Sequence, residues 1–479
     1  MITTDRATSA MRHQDMFIAG QWVPAASTFE VIDPWDGALV ATIASGAAAD
    51  ATAAVDAAAS AIVPPPHARA TVLRKVADLI EQRSELFAAT IRAEAGKPIT
   101  AARGEVSRGI DTIRLASDEA RHLAGATVPL DAVAAGEGLL AFEIPAPVGI
   151  VAAITPFNFP LNLVAHKLGP AIAAGCPVVL KPSEKTPLTA GLLVAAFADA
   201  GLPAGMLNLV TGDPNVIVST WLADERTAVV TFTGSAELGW RLKSESARKR
   251  HVLELGSNTA MVVAADADLD AAAAAAASAS FTFSGQACIS LQRVYVADTV
   301  ADTFVDKLVE KAEALPVGDP DDEATVVGPL ITTAATDRVL SWVKAAVAEG
   351  ATLCTGGDLK NGVVAPTVLL DASPTSAVLC EEAFGPIVTV NRVSDLTEAI
   401  KDVNASRFGL NTAVFTQDLS TALRIAAEAE AGAVLVNVAP NFRADNMPYG
   451  GVKDSGQGKE GVPYAVRELT EYKLVVMKK

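Results

Sequence analysis

The chain is poor in several residue types. Of its 479 residues, 4 are cysteine, 5 are histidine, and aromatic residues make up only 5%. Cys176, Cys288, Cys354 and Cys380 stand far apart with no CxxC pair, which argues against a zinc or disulfide framework. The histidines are scattered in the same way, so no metal site is expected. Basic residues are also in deficit: 38 Lys and Arg stand against 55 Asp and Glu, a formal charge of −17. That balance argues against nucleic acid as the main partner, because phosphate binding needs clustered cations, and against an anionic membrane surface. Long apolar runs are missing too. Mean hydropathy is +0.32, but much of the apolar content is alanine. The most continuous run, Ala271–Ala277, sits between Asp270 and Ser278. No stretch of about 20 bulky apolar residues is available to span a bilayer. The opening MITTDRATSAMRHQD has no apolar core, so no secretory signal is visible and a cytoplasmic location is expected.

What is present reads as globular. Hydrophobic residues reach 50% and charged residues 19%, and the length suggests about three structural units at roughly 150 residues each. Residues 1 to about 15 are polar and expected to be loose. FIAGQWV, STFEVIDP and GALVATI then alternate like short strands. A helix is expected from about Asp50 until Pro64, Pro65 and Pro66 break it. A second is expected from about Ala68 to Glu94, with Leu73, Val76, Leu79 and Ile80 on one face, and a third from Ala101 to Leu123. Val128 to Pro147 is strand-like. From GIVAAITPF onward, strands alternate with helices: PVVLKPS, LNLVTG and AVVTFTGS follow, with a helix closed by Gly175 and another from Thr189 to Ala200. This pattern implies a parallel sheet with ligands at the carboxyl ends of its strands. A second series begins near Val252, with strand candidates AMVVA, QRVYVA, PIVTVNRV, TAVFT and GAVLVN. No flexible break separates the two series, so a shared cleft is expected.

Three residues stand out chemically. In FTFSGQACIS, Cys288 lies among Ser284, Gly285, Gln286 and Ser290. Such a context suggests a turn at a helix start, where backbone N–H groups favour a thiolate; a small core hydrophobe is the other reading. In VLELGSNTA, Glu254 lies between Leu253 and Leu255. Desolvation there would raise its pKa toward that of a general base, unless it serves as a paired structural acid. In AITPFNFP, Asn158 follows a buried strand. Its amide could donate to an oxyanion or simply form an Asx turn before Pro160. VLKPSE contributes Lys181 and Glu184 at another strand end. FTGSAELG contributes Gly234, Ser235 and Gly239, whose spacing matches neither GxGxxG nor a Walker loop.

Taken together, ITPFNFP, VVLKPSE, TFTGS, LELG, GQACIS, EEAFGP and MPYGGVKDSGQGKEG resemble the aldehyde dehydrogenase superfamily, from about Phe17 to Lys479. The resemblance implies an α/β fold: a Rossmann-like parallel-sheet cofactor domain (1–126 and 143–252), an α/β catalytic domain (253–440) and a β oligomerisation arm with its tail (127–142 and 441–479). It implies that Cys288 attacks an aldehyde, that Asn158 and the Cys288 backbone N–H hold the oxyanion, and that Glu254 activates water to hydrolyse the resulting thioester. Lys167 and Glu460 match positions that orient groups and relay protons. The cofactor implied is NAD, with NADP possible. Thr155, Pro156, Phe157, Lys181, Ser183, Glu184, Gly212, Gly234, Ser235, Leu255, Glu382 and Phe384 match its binding positions. Lys181 and Glu184 face the adenosine ribose, where a carboxylate repels a 2′-phosphate. Gly234 and Ser235 lie beside the pyrophosphate, and Glu382 holds the nicotinamide ribose with Phe384 near it. Phe157 departs from the tryptophan more usual in this loop.

For substrate, Ala287, Ile289, Phe159 and Leu161 suggest an apolar mouth, with Arg108, Arg293 and Arg443 in segments that could approach it. The text is most similar to branches handling small hydroxy-, phospho- or sulfo-aldehydes such as lactaldehyde. The alternatives are a CoA-acylating semialdehyde dehydrogenase, in which the general base is often absent, and a non-catalytic structural protein of the same fold, in which the nucleophile is typically lost. A homodimer or homotetramer is implied, with the Leu469–Val476 tail reaching a neighbouring subunit; a tail folded onto its own chain is the alternative.

Overall fold

A computed structural model describes residues 13–479. The stretch expected to be loose lies mostly outside the described residues. Its end, His13–Gln14, pairs with the Leu39–Ser45 strand, which also pairs with Ser27–Ile32.

Two large sheets organise the chain. In the first, Leu207–Leu209, Val178–Lys181, Ile150–Ile154, Thr227–Thr233 and Arg250–Glu254 run parallel in that spatial order. These strands are buried almost throughout. That is why they read in sequence as continuous apolar runs and not as alternating ones. The hairpin Met16–Ile18 and Gln21–Val23 extends the sheet beyond Leu207–Leu209, and Gly456–Gln457 closes the opposite edge, both antiparallel. The helix Asn162–Ala174 is buried at every position and ends at Gly175, in the left-handed conformation that glycine adopts freely. In the second sheet, Thr367–Leu370, Ile387–Val393, Leu291–Ala297, Thr259–Val263, Asn411–Phe415 and Ala433–Val436 are parallel, with Thr352–Thr355 antiparallel at one edge.

Several expected boundaries differ from those observed. The helix expected over Ala68–Glu94 is two helices, Pro66–Gln82 and Ser84–Ala95. They part at Arg83, whose backbone leaves the helical region (φ −112°, ψ 20°) while its guanidinium reaches Asp199 at 2.7 Å. No glycine or proline marks that break. The Arg250–Glu254 strand pairs with Thr227–Thr233, so the first sheet continues through Glu254 and the second series begins at Thr259. Val128–Pro147 is not one strand. Thr127–Val128 and Leu139–Pro147 are separated by turns around Pro129, Gly136 and Gly138. The tail strand Thr470–Lys478 does not stand alone but pairs antiparallel along the whole of Leu139–Pro147 in its own chain. It remains an edge strand, with Tyr472, Leu474, Val476 and Met477 between 40% and 51% exposed. Among the described residues, no helix is long and apolar enough to cross a membrane.

Candidate active site

The loops after the parallel strands converge between the two sheets. Asn158 lies in the loop after Ile150–Ile154, buried, and its Nδ2 donates to the Gln286 carbonyl at 2.9 Å. That bond ties it to the segment carrying Cys288 and leaves the second amide hydrogen free. Cys288 occupies a turn between the short helical turn Thr282–Gly285 and the Leu291–Ala297 strand. This corrects the expected helix start: the helix Leu269–Phe281 ends before the cysteine, and Phe283 and Ser284 take positive φ. Burial pushes the Cys288 thiol up to about 11, despite the opposing Tyr449 hydroxyl and Arg443 charge.

The segment from Arg443 to Glu460 covers this turn. The Tyr449 hydroxyl lies 3.0 Å from Cys288 Sγ, and the Arg443 guanidinium stacks 3.8 Å over the Tyr449 ring. Arg443 donates to Glu460 Oε2 at 3.0 Å, and Lys167 donates to Glu460 Oε1 at 3.0 Å. Burial alone would raise the Glu460 pKa, but Lys167 and Arg443 outweigh it and hold it near 2. Glu254 ends its strand fully enclosed, with neither carboxylate oxygen hydrogen-bonded. Burial, reinforced by the nearby negative charge of Glu460, raises its pKa well above the ordinary carboxylate range. Two enclosed carboxylates are thus pushed in opposite directions, Glu460 down and Glu254 up.

Asp445 joins the same network. It accepts from Arg108 at 2.5 Å and from Thr112 at 3.0 Å, and lies 3.0 Å from His166 Nε2. Burial and the Arg443 charge lower the His166 pKa, so its neutral form is favoured. Lys167, Arg443 and Arg108 therefore meet the Glu460 and Asp445 carboxylates in one ion-pair network beside the nucleophile.

The cofactor candidates line the carboxyl ends of the first sheet. Thr155 follows Ile150–Ile154, Lys181 ends its strand, and Gly212 follows Leu207–Leu209. Ser235 caps the helix Ala236–Glu245, its hydroxyl accepting from Leu238 N–H at 3.4 Å. Gly234 donates its N–H to the Glu254 carbonyl at 3.1 Å, and Leu255 donates to the Ser455 carbonyl at 3.0 Å. Lys181 pairs with Glu184, and the Ser183 hydroxyl accepts from Lys185 N–H at 3.1 Å. Gly212 has φ +132°, and a Cβ there would fall 2.9 Å from Gly46 backbone atoms. Across the cleft, Glu382 accepts from Ser257 N–H at 2.9 Å, and burial pushes its pKa to about 7. A Cβ at Gly256 would fall 2.5 Å from the Glu382 carboxylate, so only glycine leaves that group in place. Phe157, after Pro156, meets Phe384 edge to face at 5.8 Å. The Thr155 hydroxyl is buried and without a partner. An orphaned donor, a helix N-terminus and a carboxylate pair for ribose hydroxyls fit a dinucleotide.

Some expectations fail here. Leu161 is fully buried against Gly109 and lines no mouth. Phe159 packs against Phe283 and under the Lys97 ammonium, 3.8 Å from its ring centroid. Arg293 is spent on the Asn258 and Asp402 carbonyls and the Tyr295 hydroxyl, within the second sheet's own packing. Tyr449 and Asp445 join the site without a sequence signal of their own, although Tyr449 stands inside the MPYGG motif. Nothing local signals that a residue 161 positions away meets the thiol. Among the described residues, no group of three or more His, Cys, Asp or Glu could hold a metal ion.

The chain matches the model of the aldehyde dehydrogenase family over residues 22–475. It is 42% identical over 469 residues to 3-sulfolactaldehyde dehydrogenase of Priestia megaterium, covering 98% of each chain. A lactaldehyde dehydrogenase of Methanococcus maripaludis is 36% identical, covering 96% of this chain and 99% of that one. Among solved structures, aldehyde dehydrogenase 21 from Physcomitrella patens, in complex with the reaction product succinate, superposes with a TM-score of 0.94 at 37% identity, covering 98% of each chain. The NADP-dependent glyceraldehyde-3-phosphate dehydrogenase from Bacillus halodurans, complexed with NADP, gives 0.95 at 34% identity, covering 97% of this chain and 99% of that one. Likeness of this extent, reaching every loop that meets at Cys288, establishes that the chain belongs to the aldehyde dehydrogenase family.

Proposed function

We propose that the chain oxidises a small aldehyde bearing an anionic or hydroxyl group to its carboxylic acid, with NAD as cofactor and NADP accepted. The observation that carries the reading is that Asn158 donates to the Gln286 carbonyl, two residues before Cys288, at 2.9 Å, while the buried Glu254 acts electrostatically on the same cysteine. Cys288 sulfur attacks the carbonyl carbon, and the free Asn158 hydrogen and the Cys288 N–H receive the oxygen as it gains charge. When bound, the dinucleotide supplies the hydride acceptor. Thr155, Lys181, Glu184 and Glu382 hold and orient it. The thioester left on Cys288 is attacked by water, whose proton Glu254 takes from inside the cleft. Lys167 keeps Glu460 ionised, and that charge in turn raises the affinity of Glu254 for a proton. The first sheet serves the cofactor and the second carries the nucleophile. A cytoplasmic location is part of the same reading.

The Arg443 cation, stacked on Tyr449 beside the nucleophile, favours a substrate with a negative group. The names of the relatives, 3-sulfolactaldehyde dehydrogenase among them, point the same way. A panel of lactaldehyde, 3-sulfolactaldehyde, succinic semialdehyde and unsubstituted aldehydes, run with NAD and with NADP, with and without CoA, tests this. Anionic or hydroxylated members should give the highest kcat/KM, and the product should be the free acid even with CoA present. Preference for plain alkyl aldehydes, or a CoA thioester product, would refute it. The same panel on Glu184→Ala should raise the NADP-to-NAD ratio. Removing the carboxylate ends its repulsion of a 2′-phosphate and frees Lys181 to pair with that phosphate. We expect about a ten- to hundredfold change, or roughly 1–3 kcal/mol.

The chain is also proposed to form a homodimer or homotetramer. The arm-and-tail sheet presents an unpaired edge lined by Leu474 and Val476, about half exposed, and such edges seek another strand. Light scattering should find the intact chain dimeric or tetrameric, and a chain ending at Glu468 dissociated or aggregated. A monomeric, active intact chain would end this part of the proposal.

A further inference from the structure

We propose that Tyr449 is a catalytic residue whose phenol donates a hydrogen bond to Cys288 Sγ and holds the thiolate ready to attack. The proposal rests on the reading of Cys288 as the nucleophile.

A buried tyrosine hydroxyl needs a partner. Tyr449 is 2% exposed, and among the described residues its hydroxyl has one partner, the sulfur at 3.0 Å. The ring is fixed on all sides. It packs with Ile289 and Leu410, its backbone carbonyl accepts from Glu460 N–H at 2.8 Å, and Arg443 lies on its face at 3.8 Å. A thiol is a poor acceptor and a thiolate a strong one, so the contact stabilises mainly the ionised sulfur. The cation on the ring face draws electron density from the phenol and strengthens it as a donor. The other charged groups facing Cys288 are Arg443, which also favours the thiolate, and Glu382 and Glu254, which oppose it. Tyr449 is the one neutral donor in that set.

The step balances without a further reagent. The Cys288 S–H proton leaves to water, and Tyr449 keeps its own proton turned toward sulfur. A sulfur lone pair then forms the C–S bond while the carbonyl π pair moves to oxygen. Phenylalanine at 449 would keep the packing and the Arg443 contact and remove only the donor.

The test is the rate of Cys288 alkylation by iodoacetamide across pH, read by peptide mass spectrometry so that the other cysteines do not interfere. In Tyr449→Phe the midpoint should rise by about one pH unit, as expected for one hydrogen bond to a charged group. Thiolate at neutral pH falls about tenfold, but each thiolate becomes about threefold more nucleophilic. Alkylation should therefore slow about threefold at neutral pH and speed up about threefold on the alkaline plateau. Mere loosening of the site would raise the rate at every pH. An unmoved midpoint, or a uniform change, would overturn the proposal. A chain made with 3-fluorotyrosine keeps the phenol as a stronger donor and should alkylate faster than the ordinary chain at neutral pH; no increase would likewise overturn it. Because alkylation reads the thiol directly, the result is separate from whether Cys288 is the residue that attacks the aldehyde.

Discussion

Cys288→Ala should abolish aldehyde oxidation, by roughly 10⁴-fold or more, while dinucleotide binding stays close to that of the intact chain. The effect is large because no other group can form the covalent adduct. Cys176 is fully buried, its sulfur donating to the Leu469 carbonyl at 3.3 Å, Cys354 lies in the edge strand Thr352–Thr355, and Cys380 ends the short helix Ala377–Cys380 with its sulfur donating to the Pro374 carbonyl at 3.1 Å. Binding survives because the cofactor candidates sit on the ends of the first sheet and around Glu382, none of them held by the sulfur. Equilibrium titration of the dinucleotide by fluorescence, beside a rate assay, separates the two. A variant oxidising aldehyde near the original rate would sink the mechanism. The sign of the pH dependence follows from the thiol: burial favours its protonated form, so the rate of attack in the intact chain should rise with pH as the thiolate forms.

Glu254→Gln should split the reaction in time. A burst of reduced cofactor, close to stoichiometric with subunits, should survive, and steady turnover should fall by roughly 10²–10⁴-fold, the usual worth of a positioned general base. The substitution is gentle on the fold because neither Glu254 oxygen carries a hydrogen bond that glutamine would lose. Its effect should therefore fall on the water that hydrolyses the thioester. Rapid-mixing absorbance is the measurement, and acid quenching should recover acylated Cys288. Loss of the burst along with turnover would place Glu254 earlier, in activating the thiol. Burial raises the Glu254 pKa, so deacylation should speed up with rising pH as the carboxylate becomes able to take a proton.

Much of this was visible in the residues. Leu253 and Leu255 flanking a glutamate announce an enclosed carboxylate, and the runs IVAAI and VVLK announce strands covered on both faces. The pair Lys181 and Glu184 lies close enough in sequence to be read together. What escaped was whatever depends on distant segments meeting. The break at Arg83 has no glycine or proline to mark it, and its guanidinium is drawn aside by Asp199, 116 positions on. The turn at Cys288 is shaped by positive φ at Phe283 and Ser284, residues that carry no hint of it in their type. Gly456–Gln457 looked like part of a tail and instead completes the first sheet. The tail itself was expected to reach a second chain, and it lies first along its own arm.

The closing of that sheet by residues so late in the chain also sets an order of events during synthesis. Cys288 leaves the ribosome long before Arg443, Tyr449 and Glu460 exist to enclose it. At about 5–20 residues per second, adding the intervening chain takes roughly 10–35 s. For that interval the thiol has neither its cover nor the neighbours that tune it, and oxidants meet it as an ordinary exposed cysteine. A stalled or prematurely terminated chain would keep it in that state, presenting a free thiol and the bare Arg250–Glu254 edge together. Such a product should be recognisable by thiol labelling and by aggregation before any assay of activity is attempted.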